Sequence, residues 1–375
     1  TQANPPPNFI DFGIGQPGLE LLPLDIMRRA AEIRLGSGDP ALLNYGYELG
    51  DGYFRRALAR FLQEHYGAPV SAESLLVTAG ASQALDLICT RFTKPGEVVF
   101  VEEPTYFLAL RIFADHGLEV VGLPTDAEGL VIEDLAAALR ERQPALLYTV
   151  PTFQNPAGVT MTAARRQQLA DLSAEHGFLV VADEVYHLLA YEKMPPRPMS
   201  AFSDRGQVLS LGSFSKILAP GLRLGWVQGS PDNLQVLASS GLVDSGGGLN
   251  PFTSNLVRIV LEEGWQDDHL QRLRGIYKRR AAAMAEALAA SLDHLAQFRR
   301  PAGGFFYWLT LPSGVDAAVL AKRAREHGVG FQPGIKFSSK AQLRNCVRLS
   351  FAYYDVDTIR RGSGRLGKVV RGTAS

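Results

Sequence analysis

Across 375 residues, 38 Lys plus Arg balance 38 Asp plus Glu, and a formal net charge of zero argues against nucleic acid or an anionic membrane as the main partner. The length suits two domains with a core of ordinary size in each, no apolar stretch approaches a membrane span, and residues 1–8 are polar and proline-rich rather than a signal peptide. Cys89 and Cys346 lie in apolar segments without the spacing of a metal site, so both read as buried, reduced and structural in a cytoplasmic protein that needs no metal.

Taken in order, the chain starts with a stiff arm, Asn4-Pro5-Pro6-Pro7, that cannot join a helix. Gly13-Ile14-Gly15-Gln16-Pro17-Gly18 then matches the glycine fingerprint of a dinucleotide fold, but Pro17 and Pro23 interrupt the turn that fingerprint needs. A loop whose amides approach a ligand, or a plain surface turn, fits better. Helices are expected over 24–35 and 53–66, with the aromatic, glycine-rich loop 43–52 between them. From Leu75 short apolar runs alternate with helical patterns, the signature of an α/β fold with a mostly parallel sheet. Seven strands are expected at 75–78, 98–102, 119–123, 146–150, 179–182, 208–211 and 224–228, flanked by helices at 82–92, 105–114, 132–140 and 162–175. The loop 245–251 then leads into long helices at 253–263 and 268–296. Strands at 305–311 and 345–351 around a helix at 316–327 suggest a smaller α/β unit, and the basic, glycine-rich tail from Arg360 is expected to be partly disordered. The division is therefore an arm and part of a small domain (1–44), a large domain (45–245), and an interdomain helix with the small domain (246–375), which draws on both chain ends.

In such sheets ligands collect at the carboxyl ends of the strands, and four motifs lie there. Thr78-Ala79-Gly80-Ala81-Ser82-Gln83 joins a strand to a helix whose free amides favour an anion, although an ordinary capped helix looks the same. Asn155-Pro156-Ala157-Gly158 follows another strand and, alone, reads as a turn. Asp183 ends the apolar run Val180-Val181-Ala182 and must cap a helix or meet a cation. Lys216, in Ser213-Phe214-Ser215-Lys216, sits among two hydroxyls and Arg223, with little charge nearby. An amine that forms a Schiff base must be neutral part of the time, which apolar surroundings favour.

The order and spacing of these motifs resemble the class I and II aminotransferases of pyridoxal-phosphate fold type I, from about Gly13 to Phe351. Within that family, residues 212–226 look most like the 2-aminoadipate and kynurenine aminotransferases and the aminotransferase-like domains of MocR-type regulators. The resemblance implies pyridoxal 5′-phosphate held covalently by Lys216, which then moves the proton as general base. It implies Asp183 paired with the pyridine nitrogen, Asn155 and Tyr186 on the ring's phenolic oxygen, and Tyr106 stacked on the ring. Gly80, Ala81 and Ser82, with Ser213, Ser215 and Arg223, would hold the phosphate. Tyr45 would reach the phosphate of a neighbouring subunit, which implies a homodimer with shared sites. Arg348, with Asn155 and an amide of Gly15, would bind the substrate's α-carboxylate.

The resemblance implies amino-group transfer between an α-amino acid, aromatic, branched or 2-aminoadipate-like, and a 2-oxo acid such as 2-oxoglutarate. No second arginine for an acidic side chain stands out in 244–250, and Arg28, Arg29 or Arg34 is the expected substitute. The rivals are a carbon–sulphur lyase, a decarboxylase or a cyclising enzyme with the same cofactor. A ligand-sensing domain, which would need a DNA-binding segment ahead of Phe9, and a dinucleotide-dependent oxidoreductase resting on Gly13 to Gly18 complete the set.

Overall fold

The computed structural model describes residues 4–204 and 206–374. The first part holds β1 (Ile10–Asp11), α1 (Leu24–Gly36) and α2 (Gly52–Tyr66). There follow β2 (Leu75–Thr78), α3 (Ala81–Phe92), β3 (Val98–Glu103), α4 (Phe107–Asp115), β4 (Glu119–Asp126), β5 (Gly129–Leu130), α5 (Ile132–Glu141), β6 (Leu146–Thr149), α6 (Ala163–His176), β7 (Leu179–Asp183), β8 (Val208–Ser213) and β9 (Gly225–Gln228). Then come α7 (Pro231–Ala238), α8 (Gly241–Gly246), α9 (Pro251–Glu262) and α10 (Trp265–Leu292). The remainder is β10 (Gln297–Phe298), β11 (Phe306–Thr310), α11 (Ala317–Glu326), β12 (Val329–Gly330), β13 (Gln332–Pro333), β14 (Cys346–Ser350) and α12 (Val356–Ala374).

One sheet runs β2-β9-β8-β7-β6-β3-β4-β5, so the seven expected strands are joined by a two-residue eighth at the edge. The neighbours from β8 through β4 pair in parallel, while β9 and β5 run against their neighbours. Strands β2, β6 and β7 are almost wholly apolar and buried because both faces of the sheet are covered there. Phe100, Leu147 and Val180 pack with Leu135 and Leu169 on one face, and Val99, Val101, Tyr148 and Val181 belong to the larger core on the other. Thr78 and Ser213 both pair with Gly225, so the end of β2, the end of β8 and the start of β9 meet at one edge of the sheet. That edge receives the polar motifs.

A second sheet, β10-β11-β14-β13, is antiparallel, and β1 pairs in parallel with β12, which ties the chain's start to its last third. Two expectations fail. The tail from Arg360 is part of a helix, α12, that buries Ile359, Leu366, Val369 and Val370. Its glycines serve close packing: a Cβ at Gly367 would lie 2.6 Å from the Ser291 backbone, and one at Gly362 2.5 Å from the Phe12 ring. The loop expected from Ser245 starts later, because Ser240 caps α8 through the Val243 amide and the helix continues to Gly246.

Candidate active site

A cleft of about 600 Å³ opens over the carboxyl edge of the large sheet. At its inner end α3 begins after Gly80, which has φ +92° and offers no side-chain cap, leaving the first-turn amides open. A Cβ at Gly80 would sit 2.7 Å from an Arg223 Nη, so the guanidinium lies directly against the helix start. Arg223, itself left-handed at φ +46°, donates to Ser215 Oγ at 3.3 Å and to the Ala79 carbonyl at 3.1 Å. The Ser213 hydroxyl donates to Ser215 Oγ at 2.9 Å. With Ala81 and Ser82 lining the same wall, this end gathers hydroxyls, open amides and one guanidinium, a donor set for a phosphate.

In the middle, the Asp183 carboxylate accepts the Tyr148 hydroxyl at 2.7 Å through Oδ2, while its buried Oδ1 has no protein partner. Burial raises the carboxyl's pKa, and the Tyr148 hydrogen bond, the Val185 amide and the Lys216 charge oppose that. Lys216 Nζ donates to the Gly15 carbonyl at 2.8 Å and lies 5.7 Å from the centre of the Phe305 ring. Burial, then the charges of Arg348 and Arg223, bring its ammonium down from 10.5 to about 8 despite the opposing Asp183. Tyr106 and Tyr186 line the cleft with phenols kept neutral, Tyr106 pushed up to about 12 and Tyr186 held well above its ordinary value, both chiefly by burial.

At the outer end Arg348 is buried on β14. Its Nη1 donates to Asn155 Oδ1 at 3.0 Å and its Nη2 to the Gly13 carbonyl at 2.9 Å, and its Nε has no protein partner. The guanidinium lies 4.2 Å from the centre of the Phe306 ring. Gly15 is wedged here, since a Cβ would meet Phe306 at 3.2 Å and Arg348 at 3.7 Å. The Gly13–Gly18 segment is thus a loop against the cleft that leads into a single 3-10 turn (Leu19–Leu21) and opens no α-helix, which removes the dinucleotide reading.

The sequence-selected residues converge, with two qualifications. Tyr45 is 80% exposed and lies outside the cleft, beside a separate hollow with Asn255 and Arg258. Arg28, Arg29 and Arg34 are engaged elsewhere. Arg28 pairs with Asp25 and Glu32, Arg29 stacks on Trp265 at 4.1 Å, and Arg34 binds Asn255, Ser37 and Asp39. None of the three lines the cleft.

Sequence reasoning missed the layer beneath. Gln154 donates to Glu102 at 3.1 Å and to the Pro104 carbonyl at 2.6 Å, and accepts from the Ala157 amide at 2.7 Å, which shapes the turn carrying Asn155. Arg166, fully buried, donates to the Pro151 carbonyl at 2.8 Å, to Thr152 Oγ1 at 2.7 Å and to Glu184 at 3.3 Å. One ion pair thereby joins that loop to the residue after Asp183. The signal was present: Arg166 shares a helical face with Leu169, Ala170 and Ser173, so a charge stood on the core side. Tyr148 was legible likewise as the one phenol in the buried strand Leu146–Thr149.

The residues fit a phosphorylated pyridine aldehyde: an anion cradle at one end, an orphaned carboxylate oxygen for a ring N–H, and a partly neutral amine between them. Comparison with known proteins agrees. The family described as Aminotransferase class I and II matches residues 7–366. The chain is 36% identical over 370 residues to aromatic-amino-acid aminotransferase 1 of Thermococcus litoralis, covering 97% of this chain and 88% of that protein. The structure of a kynurenine aminotransferase from Pyrococcus horikoshii superposes with TM-score 0.93 at 34% identity, covering 99% of this chain and 92% of that one. That of an α-aminoadipate aminotransferase from Thermus thermophilus, complexed with N-(5′-phosphopyridoxyl)-L-leucine, gives TM-score 0.90 at 32% identity over 98% and 93%. The chain belongs to the class I and II aminotransferases, enzymes that transfer amino groups with pyridoxal 5′-phosphate.

Proposed function

We propose that the cleft moves an amino group between an aromatic, branched or 2-aminoadipate-like α-amino acid and a 2-oxo acid such as 2-oxoglutarate. When bound, pyridoxal phosphate supplies a conjugated ring that accepts the electron pair left as the substrate's Cα–H bond breaks. The amides of Gly80, Ala81 and Ser82, the hydroxyls of Ser213 and Ser215, and Arg223, whose planar fork suits a phosphate, would hold the cofactor's phosphate. Asp183 would keep a proton on the ring nitrogen, since Tyr148 is bonded to its Oδ2 and leaves Oδ1 without a protein partner. Asn155 and Tyr186 would bind the phenolic oxygen, and Tyr106 would pack on the ring. Arg348 and Gly15 hold the α-carboxylate, orienting the Cα–H bond for proton removal.

Lys216 Nζ would hold the cofactor and, as a free amine, would take and return the Cα proton. The single observation that carries this reading is the position of Lys216, in the cleft with Asp183, between Arg223 and the open helix start at one end and Arg348 at the other. Burial and the two guanidinium charges lower the amine's pKa, which favours the neutral form that a base alternating between forms needs.

The protein works as a homodimer in the cytoplasm. Exposed Tyr45, Tyr47 and Tyr53, which line one surface hollow, support the first, as apolar surface that a second copy would cover, with Tyr45 carried toward the partner's phosphate. Two free, buried cysteines support the second. The arm 1–44, cofactor unit 45–245 and small unit 246–375 fit this plan, since β1 pairs with β12 and brings the arm to the small unit. The test is incubation with a panel of amino acids and 2-oxoglutarate: glutamate with the matching 2-oxo acid supports transfer. Ammonia with pyruvate, carbon dioxide, or a cyclised product would overturn it in favour of another reaction on the same cofactor.

A further inference from the structure

Lys216 stands on a turn between β8 and β9, outside any helix or strand. The Leu218 amide closes that turn on the Phe214 carbonyl at 2.8 Å, and the buried side chains of Phe214, Ile217 and Leu218 pack it down. Among the described residues no backbone amide donates to the Ile217 carbonyl, one residue past the amine. Its partner comes from α10: Gln266, 0% exposed, donates to it through Nε2 at 2.9 Å. A buried carbonyl left without a donor is costly, so this side chain completes the turn. His269, also buried, follows on the same helical face and meets the Leu218 backbone. Burial, then the Arg272 charge, bring its ring down from 6.5 to about 4 against that contact, which leaves it neutral. Neither residue lines the cleft.

The helix that carries them is tied along its length. A hydrogen bond of 2.7 Å joins Asp267 to His65 of α2, and Arg274 Nε donates at 2.7 Å to the carbonyl of Leu188, two residues past Tyr186. Further on, Arg280 donates to the Ala352 carbonyl at 2.5 Å, and the Ala281 carbonyl accepts the Tyr307 hydroxyl at 2.7 Å. Tyr307, on β11, pairs with Leu349, the neighbour of Arg348 on β14. One helix therefore touches the turn of the amine, the segment after Tyr186, and the strand pair that carries Arg348.

We infer that Gln266 is a positioning residue for Lys216: its hydrogen bond fixes the turn so that Nζ meets the Cα proton, and α10 holds that turn in place relative to Arg348. The inference rests on the proposed role of Lys216 as the base. Gln266 acts through the backbone after Lys216 and touches neither substrate nor cofactor.

The test is single-turnover formation of 2-oxo acid by cofactor-loaded Gln266→Met, which keeps the length of the side chain without its amide, in wild-type and Lys216→Ala backgrounds. Hydrogen exchange of the peptide spanning 214–222 in the same proteins reports on the turn itself. In the wild-type background the substitution is expected to speed that exchange and to slow the reaction by roughly 10- to 100-fold, the scale of a small misplacement of a reacting group. KM stays within about twofold of wild type, because Arg348 is untouched. In the Lys216→Ala background the same substitution changes the residual rate by less than about twofold, since a residue that acts through Lys216 has nothing left to position. Gln266→Asn, whose amide falls a methylene short, shows the same pattern and serves where the methionine variant does not fold. An unchanged rate or unchanged exchange overturns the inference, and so does an equal loss in both backgrounds, which would mark a general loss of structure. If Lys216→Ala alone turns over like wild type, the base role fails, while faster exchange in Gln266→Met still supports the hold on the turn, so the two failures are distinguishable.

Discussion

The two ends of the cleft bind anions by different constructions. The inner end is assembled from short stretches at one sheet edge, the β2–α3 turn and the segment 213–223, locked by the shared pairing of Thr78 and Ser213 with Gly225. The outer end draws on β14, the Asn155 turn, the Gly13–Gly18 loop, α4 and α11. Most hydrogen bonds at the inner end stay within 213–223, with one from Arg223 reaching Ala79, 144 residues away, whereas both side-chain partners of Arg348 are distant, 193 and 335 residues away. A permanent group suits the first construction and an exchanging one the second.

Substitutions at the centre, where both ends act, give the largest effects. Lys216→Ala is expected to slow single-turnover formation of 2-oxo acid by roughly 10²–10⁴-fold, the worth of a positioned general base. Wild-type turnover would remove Lys216 from its role. Asp183→Asn, which keeps the shape but not the charge, should lower kcat by roughly 10²–10³-fold, a loss typical of one preorganised electrostatic contact. An unchanged kcat would break the reading of its orphaned oxygen.

The contrast between the ends is sharpened by a pair of variants. Arg348→Leu should raise KM for every α-carboxylate substrate roughly 10–100-fold through lost charge-assisted hydrogen bonds, and leave cofactor retention on dialysis as in wild type. Arg223→Leu should do the reverse. If both variants alter both quantities alike, the ends are one unit and the comparison fails. Ser215→Ala should weaken cofactor retention several-fold at most, as one neutral hydrogen bond is worth about 1 kcal/mol.

A smaller effect is the titration of Lys216 in cofactor-free protein. Burial and two guanidinium charges disfavour the ammonium, so the neutral amine appears as pH rises through about 8 rather than 10.5. Labelling by an amine-reactive reagent, followed by peptide mass, should be half-maximal there. Arg348→Leu removes a positive neighbour and shifts the midpoint up; Asp183→Asn removes a negative one and shifts it down.

The same contrast explains what could be read in advance. Apolar runs between helical patterns disclosed the sheet, and the inner end followed because Thr78 to Gln83 and Ser213 to Arg223 are local motifs at strand ends. Arg348 could be selected only through family resemblance, because nothing in its own strand shows that Asn155 and Gly13 converge on it. The α12 glycines misled for the opposite reason, since composition suggested disorder where close helix packing required small residues.

The central claim, that one amine among these groups carries the cofactor, is tested most directly by borohydride reduction of the protein as purified, followed by peptide mass analysis. The account predicts loss of the visible absorbance band and a single phosphopyridoxyl group on Lys216. A modification on any other lysine, or none in a protein that shows the band, would contradict it.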